Sequence, residues 1–359
     1  MSHSKEIEED QKRLDYLAEM MPDLQVLLGK SNLPERQELV RIFGKVMVNS
    51  FCLLDHHLKP IGTSLYLAAS ILDHSCTPNA FVSFVGSKLV VRTLVEWPEL
   101  DLDMIRISYL DTMNSREYRR KFLQDHYYFT CDCRLCRDDS HARTASSIRC
   151  RSRSCGAPVH VDESGTGWVE PCGACGFCKF PRGVAYEYIE VAGYTRTELE
   201  DLDEENPSLE VWRDVSEAQG SLLHPLNLWR SKALEALVTA SVNMRQWNAA
   251  LAPARENEAA MRHYYGAKHP YVGLYLMKLA KIELNNMEWH PALEHLLEAE
   301  EILEAGLGSN HPLVFTDLTW LLIQASEECR VDIQRSLMYG DAQRTSASGR
   351  SLATNRGRS

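Results

Sequence analysis

No stretch of the 359-residue chain is long and uncharged enough to cross a membrane or to form the apolar core of a secretory signal. The nearest, Lys59 to Ala69, is interrupted by Pro60 and Gly62, so no membrane association is expected. Positive charge is also scarce: 39 Lys and Arg stand against 50 Asp and Glu, a formal net charge of −11. Affinity for phosphate backbones comes from Lys and Arg neutralising them, and basic residues interleaved with aromatics are lacking. No direct nucleic-acid binding is therefore expected. At 44% hydrophobic, 25% charged and 8% aromatic, the composition excludes collagen-like, coiled-coil and wholly disordered chains, and the length suits two or three compact units. Cysteine is the residue in excess. Without a secretory segment the chain is expected in a reducing compartment, where 11 closely grouped cysteines read as metal ligands rather than disulfides.

The charge is uneven. Glu187 to Glu217 holds eleven acids and two arginines, which reads as a solvated connector or helix face. Gly340 to Ser359 carries four arginines and one aspartate among small polar residues and reads as a disordered tail.

Apolar residues predict two amphipathic helices in the first sixty residues. One carries Ile7, Leu14, Leu17, Met21 and Leu24, the other Leu39, Ile42, Phe43 and Val46, with a turn at Gly29 to Pro34. An apolar helix is then expected before Asp73. From Ala80 the pattern turns to β: Phe81–Val85 and Lys88–Val95 around Gly86-Ser87 predict a hairpin, and Ile105–Leu110 a third strand. Ser115 to Gln124 reads as a short helix capped by Asn114 or Ser115. Between Leu222 and Cys329, Asn243-Met244…Trp247…Ala250-Leu251…His269-Pro270 recurs as Asn286-Met287…Trp289…Ala292-Leu293…His311-Pro312. The displacement of 42 or 43 residues suits a two-helix solenoid unit.

Cys131-x-Cys133-x2-Cys136 supplies three thiolates to one tight turn, and a tetrahedral zinc needs a fourth ligand, for which Cys76, His74, His126 and His141 are candidates. Cys150-x4-Cys155 and Cys172-x2-Cys175 pair as the two knuckles of a zinc ribbon around a Val159-His160-Val161 strand. Cys178 is an alternative to Cys175. Four thiolates leave no open position for water, so both sites, about two zinc ions in all, read as structural.

Asp73-His74-Ser75-Cys76-Thr77-Pro78-Asn79, then the hairpin, then Ile107-Ser108-Tyr109-Leu110-Asp111, then the Cys-x-Cys-x2-Cys turn, resembles the carboxy half of a SET domain with its post-SET cysteines. With the helices before and the repeat after, the order from residue 5 to 335 is similar to the SET-and-MYND lysine methyltransferases. The resemblance implies an α+β chain: a helical SET insertion (1–60), the C-terminal half of a β-rich SET core with a pseudoknot segment (61–130) and a post-SET zinc site (131–139). A ribbon-like insert (140–185), an α-helical TPR-like domain (186–335) and a disordered tail (336–359) would follow. It implies a protein-lysine N-methyltransferase, acting on histone or other proteins, with S-adenosylmethionine and zinc as cofactors. Asn49, Asp73, His74 and Phe129 would bind the methyl donor. Phe51, Tyr109 and Tyr127 would line the lysine channel, with Tyr109 orienting the amine, and Cys76 would complete the zinc site with Cys131, Cys133 and Cys136. A peptide or chaperone partner at the helical groove, a role in transcription and a cytoplasmic and nuclear location are also implied.

The sequence departs from the family at Asp73, where the family usually has Asn, and at Leu100-Asp101-Leu102-Asp103-Met104, where it commonly has Gly-Glu-Glu. The family's Gly-x-Gly cofactor loop and MYND module have no counterpart in the sequence, so half of the donor pocket is expected to be missing. A catalytically inactive scaffold is the alternative reading.

Overall fold

A computed structural model describes residues 3–99, 101–162, 167–203 and 206–334. The expected tail lies outside them. Three helices open the chain: α1 (Ser4–Glu9), α2 (Gln11–Leu28) and α3 (Arg36–Asn49). Asp10 caps α2 by accepting from the Arg13 N–H, and Ile7, Leu17, Val40 and Phe43 form their common core. Helical structure ends at Asn49, short of the expected sixty residues. β1 (Ser50–Leu54) and β2 (Pro60–Leu65) follow as an antiparallel hairpin. Its turn is made by Asp55, whose carboxylate accepts from the N–H groups of His57 and Lys59, and by Leu58 in the left-handed region.

The expected apolar helix before Asp73 is a single 3-10 turn, Ala69–Ile71, and the chain is already extended in β3 (Asp73–His74). The second hairpin is β4 (Ala80–Val85) against β5 (Lys88–Thr93), in register from Ala80↔Thr93 to Val85↔Lys88 about the Gly86-Ser87 turn. The third strand shrinks to β6 (Arg106–Ile107), parallel to β3. Beyond Ile107 the Tyr109 N–H turns to the His74 ring instead of a strand partner, which ends the ladder. Each described sheet has two strands, so the β-rich core expected from resemblance is here a set of short ladders.

Ser115, one of the two expected caps, accepts from the Tyr118 N–H and starts α4 (Arg116–Tyr127). Next come α5 (Arg134–Arg137), α6 (Asp139–Ala145) and a small hairpin of β7 (Ser147–Arg149) and β8 (Pro158–His160). The acidic stretch forms much of α7 (Val184–Glu200) and α8 (Leu209–Gln219).

The repeat becomes α9 (Leu228–Asn243), α10 (Trp247–Tyr265), α11 (Pro270–Asn285), α12 (Trp289–Leu307) and α13 (312–334), whose first turns are π-helical over Leu313–Leu318. Each repeated Trp opens a helix, and His269-Pro270 and His311-Pro312 stand at helix starts, where proline needs no N–H partner. Arg245 and Met287, each two residues before a repeated Trp, both adopt positive φ. Fully buried Ala280, Ala292 and Ala299 draw α11 and α12 together, and a Cβ at Gly273 would sit 2.7 Å from Leu303 Cγ. Leu58 and Phe81 reach into this helical core and dock both hairpins on it.

Candidate functional site

A cavity of about 360 Å³ lies where the hairpins, β6 and the helical array meet. Asn49 and Phe51 enter it from the α3–β1 junction, Leu72 from just before β3, Ile107 from β6, Tyr109 from the segment after β6 and Tyr127 from the last position of α4. The rings of Tyr109 and Tyr127 are 4.8 Å apart. The Tyr109 hydroxyl donates to the Leu72 carbonyl at 2.5 Å. Burial, then the nearby Asp73 carboxylate and Tyr127, push its pKa up, so it remains a protonated phenol across the physiological range. Burial also raises Tyr127.

The far wall comes from the helical array: Tyr265, His269 and Tyr271. The Tyr265 hydroxyl donates to Asp111 Oδ1 at 2.8 Å, fixing that wall to the segment that carries Tyr109. Burial drives His269 down to about 4, so it is neutral near pH 7. These residues were not foreseen as site residues, although Asp111 and His269 stood in quoted motifs. The only sequence signal was the clustering of Tyr264, Tyr265, His269 and Tyr271 at a helix junction.

Of the four residues carried over for the methyl donor, one lines this cavity. Asn49 lines the cavity, with its amide donating to the Lys45 carbonyl at 2.7 Å. Asp73 is more than half exposed, 3.9 Å from Arg106. His74 and Phe129 lie outside the cavity lining, their rings 6.1 Å apart.

His74 instead links Tyr109 to sulfur. Its Nδ1 accepts the Tyr109 N–H at 3.1 Å, which leaves the proton on Nε2, 3.3 Å from Cys76 Sγ. Around that sulfur, Cys76, Cys131, Cys133 and Cys136 bring their Sγ atoms within 4.8 Å of one another, with Cys76–Cys136 at 3.6 Å and Cys76–Cys131 at 4.0 Å. Tetrahedral zinc with bonds of about 2.3 Å spaces its sulfurs about 3.8 Å apart, so the set fits the ion. Of the four candidate fourth ligands, Cys76 is the one gathered. Arg119, 1% exposed, places Nη2 4.0 Å from Cys136 Sγ, and Arg120 donates to the carbonyls of Cys131 and Cys136.

A second set, Cys150, Cys155, Cys172 and Cys175, also lies within 4.8 Å, with Cys150–Cys175 at 3.6 Å and Cys155–Cys172 at 3.7 Å. Cys178 is exposed and outside it. Burial pushes the Cys172 thiol up, but the N–H groups of Cys175 and Ala174, together with the Cys150 and Cys175 side chains, outweigh it and hold the pKa at about 7. The N–H groups of Ser152 and Ala157 likewise serve Cys150 and Cys155. Both sets fit zinc held structurally, every position being thiolate. No helix among the described residues is long and apolar enough to cross a membrane.

No protein-family model matches the chain. Among curated proteins it is 26% identical over 296 residues to the histone-lysine N-methyltransferase ASHR1 of Arabidopsis thaliana, covering 79% of this chain and 59% of that protein. To the histone-lysine N-methyltransferase SMYD3 of Mus musculus it is 27% identical over 255 residues, 71% of this chain and 51% of the relative. To the N-lysine methyltransferase SMYD2-B of Danio rerio it is 33% identical over 124 residues, 34% and 28% of the two chains. The chain thus spans about half the length of the first relatives it matches. Its likeness is to the SET-and-MYND lysine methyltransferases, the family that its Asp-His-Ser-Cys segment and cysteine spacing resemble.

Proposed function

We propose that the chain carries the lysine-binding part of a protein-lysine methyltransferase that uses S-adenosylmethionine. The observation that supports this reading is the cavity itself, an aromatic tunnel for an alkyl amine. Phe51 and Tyr127 would flank the tetramethylene stem, and the protonated Tyr109 hydroxyl, already turned inward to the Leu72 carbonyl, would orient the neutral amine through its oxygen. A protein substrate with an accessible lysine, in the cytoplasm or nucleus, and a peptide partner at the helical groove belong to the same proposal.

The test is transfer of labelled methyl from S-adenosylmethionine to histone and other lysine-bearing proteins by the zinc-loaded chain, with titration calorimetry for donor binding. Activity that falls at least about 100-fold in Tyr109→Phe, with zinc content unchanged, supports the reading. A second reading, a catalytically silent scaffold, is favoured by the exposure of Asp73 and by Asn49 being the one donor candidate of the four that lines the cavity. A folded, zinc-loaded chain with neither donor binding nor transfer would establish the scaffold and sink the enzyme.

A further inference from the structure

The net charge of −11 hides a region of the opposite sign. The two knuckles of the second sulfur set, Arg149 to Cys155 and Cys172 to Arg182, contain five cations and no acid. Arg149, Arg151, Arg153, Lys179 and Arg182 are all exposed. Cys150 and Cys175, one from each knuckle, are 3.6 Å apart at their sulfurs, so the cations are gathered around one centre. Four thiolates on a divalent ion leave two negative charges, and five cations exceed that. Among the described residues, Arg151 of these five pairs with Glu187 at 3.9 Å, both partners substantially exposed, which is a weak surface pair. Nearby, Glu170 is engaged by Arg143 at 2.8 Å.

Exposed aromatics stand beside these cations. Trp168 is 54% exposed and Tyr186 57%, and Gly167 next to Trp168 is so close to Tyr186 that a Cβ there would meet its ring at 3.1 Å. Tyr186 lies in the first turn of α7, and Arg182 lies in the turn that leads into that helix. Cations that track a phosphate chain beside rings on which bases stack are the two components of a single-strand binding surface.

We infer that the ribbon is a single-stranded nucleic-acid contact site, with Arg151, Arg153, Lys179 and Arg182 on the phosphates and Trp168 and Tyr186 as the stacking platform. This runs against the expectation drawn from overall charge, because phosphate binding answers to local charge within a screening length of about 8–10 Å.

The experiment uses the zinc-loaded full chain and a fluorescein-labelled 15-nucleotide oligothymidylate, read by polarisation. Binding should weaken roughly 50-fold between about 50 and 200 mM salt if four phosphates are neutralised. Replacing Arg151, Arg153, Lys179 and Arg182 together by Ala should weaken it at least about 30-fold with zinc content intact, and Trp168→Ala about 10-fold through lost stacking. Should the fourfold variant lose zinc, Arg182→Glu, outside the ligand spans, must still weaken binding several-fold. Salt-independent binding, no binding, or unchanged binding by the zinc-loaded variants would overturn the inference. So would competition by polyglutamate as strong as that of unlabelled strand with no effect of Trp168→Ala, since the surface would then read charge alone.

Discussion

The two sulfur centres have the same ligands and opposite settings. In the inner one, Cys76 is recruited from 55 residues away from Cys131, three of its sulfurs are buried, and Arg119, Arg120 and His74 surround it. In the outer one all four cysteines come from a single 26-residue stretch, Cys175 is exposed, and the stabilising donors are the ribbon's own N–H groups. The inner centre therefore joins distant parts of the chain, while the outer one shapes a local surface. A metal that closes a long loop among buried groups contributes to global stability; one that organises its own hairpin contributes to that hairpin.

The largest contrast should come from breaking one ligand in each. Cys136→Ser, at a fully buried sulfur, should lower the whole-chain melting temperature by more than about 10 °C or leave the chain insoluble, a loss of several kcal/mol. Cys175→Ser should cost one zinc and leave the main transition within about 2 °C. Zinc determination with differential scanning calorimetry checks both. Equal effects would abolish the distinction.

Acid should also act on the inner side. His141, on α6 just beyond the inner centre, is 8% exposed and stacks on His263 of α10 at 4.4 Å and 6°. Burial first, then His263 and Arg119, holds its pKa down at about 4, against Asp138, which raises it. Because the folded value lies below the unfolded one of about 6.5, the stabilisation is complete above about pH 6.5 and is lost as pH falls toward 4. His141 alone should cost about 2 kcal/mol on going from pH 7 to pH 5. Urea titrations of His141→Phe should show that increment gone; an unchanged pH slope would refute it.

How far this contrast was readable without coordinates depends on distance along the chain. The outer ligands, the Gly86-Ser87 hairpin and the Trp and His-Pro repeat are all local patterns. Cys76 could be named only through resemblance, since spacing left three histidines as rivals. The β1–β2 hairpin was invisible because Val46, Phe51 and Leu54 continue an apolar pattern across the helix end, and its turn uses Leu58 at positive φ where a glycine would have signalled it. Arg245 and Met287 concealed their turns in the same way. The cavity's far wall was unreadable for another reason: Tyr265 meets Asp111 across 154 residues, and no local pattern records such a meeting.

A smaller effect should follow from His74→Ala. It removes both the acceptor for the Tyr109 N–H and the donor facing Cys76 Sγ. Outer-shell partners of this kind are worth roughly 10–100-fold in metal affinity. Zinc release into a chromogenic chelator should speed up in the slow, inner phase alone. Acceleration of both phases would mean that the centres are not independent.

The smallest expected effect lies at Cys178, and it decides how rigid the outer centre is. The Cys172 N–H donates to the Phe177 carbonyl at 2.9 Å and the Gly176 N–H to the Cys172 carbonyl at 2.8 Å, with Gly176 at φ +71°. That closed turn points Cys175 to the other sulfurs and carries Cys178 past them. Cys178→Ser should therefore keep two zinc ions per chain and change stability by less than about 0.5 kcal/mol, as for any exposed side chain without a partner in the cluster. The informative case is Cys175→Ser. With the turn intact, Cys178 can reach the metal only if both hydrogen bonds open, so the outer zinc should be lost and adding Cys178→Ser should change nothing. If Cys175→Ser keeps its zinc and the double variant does not, the outer centre exchanges ligands, and it differs from the inner one in plasticity as well as in place.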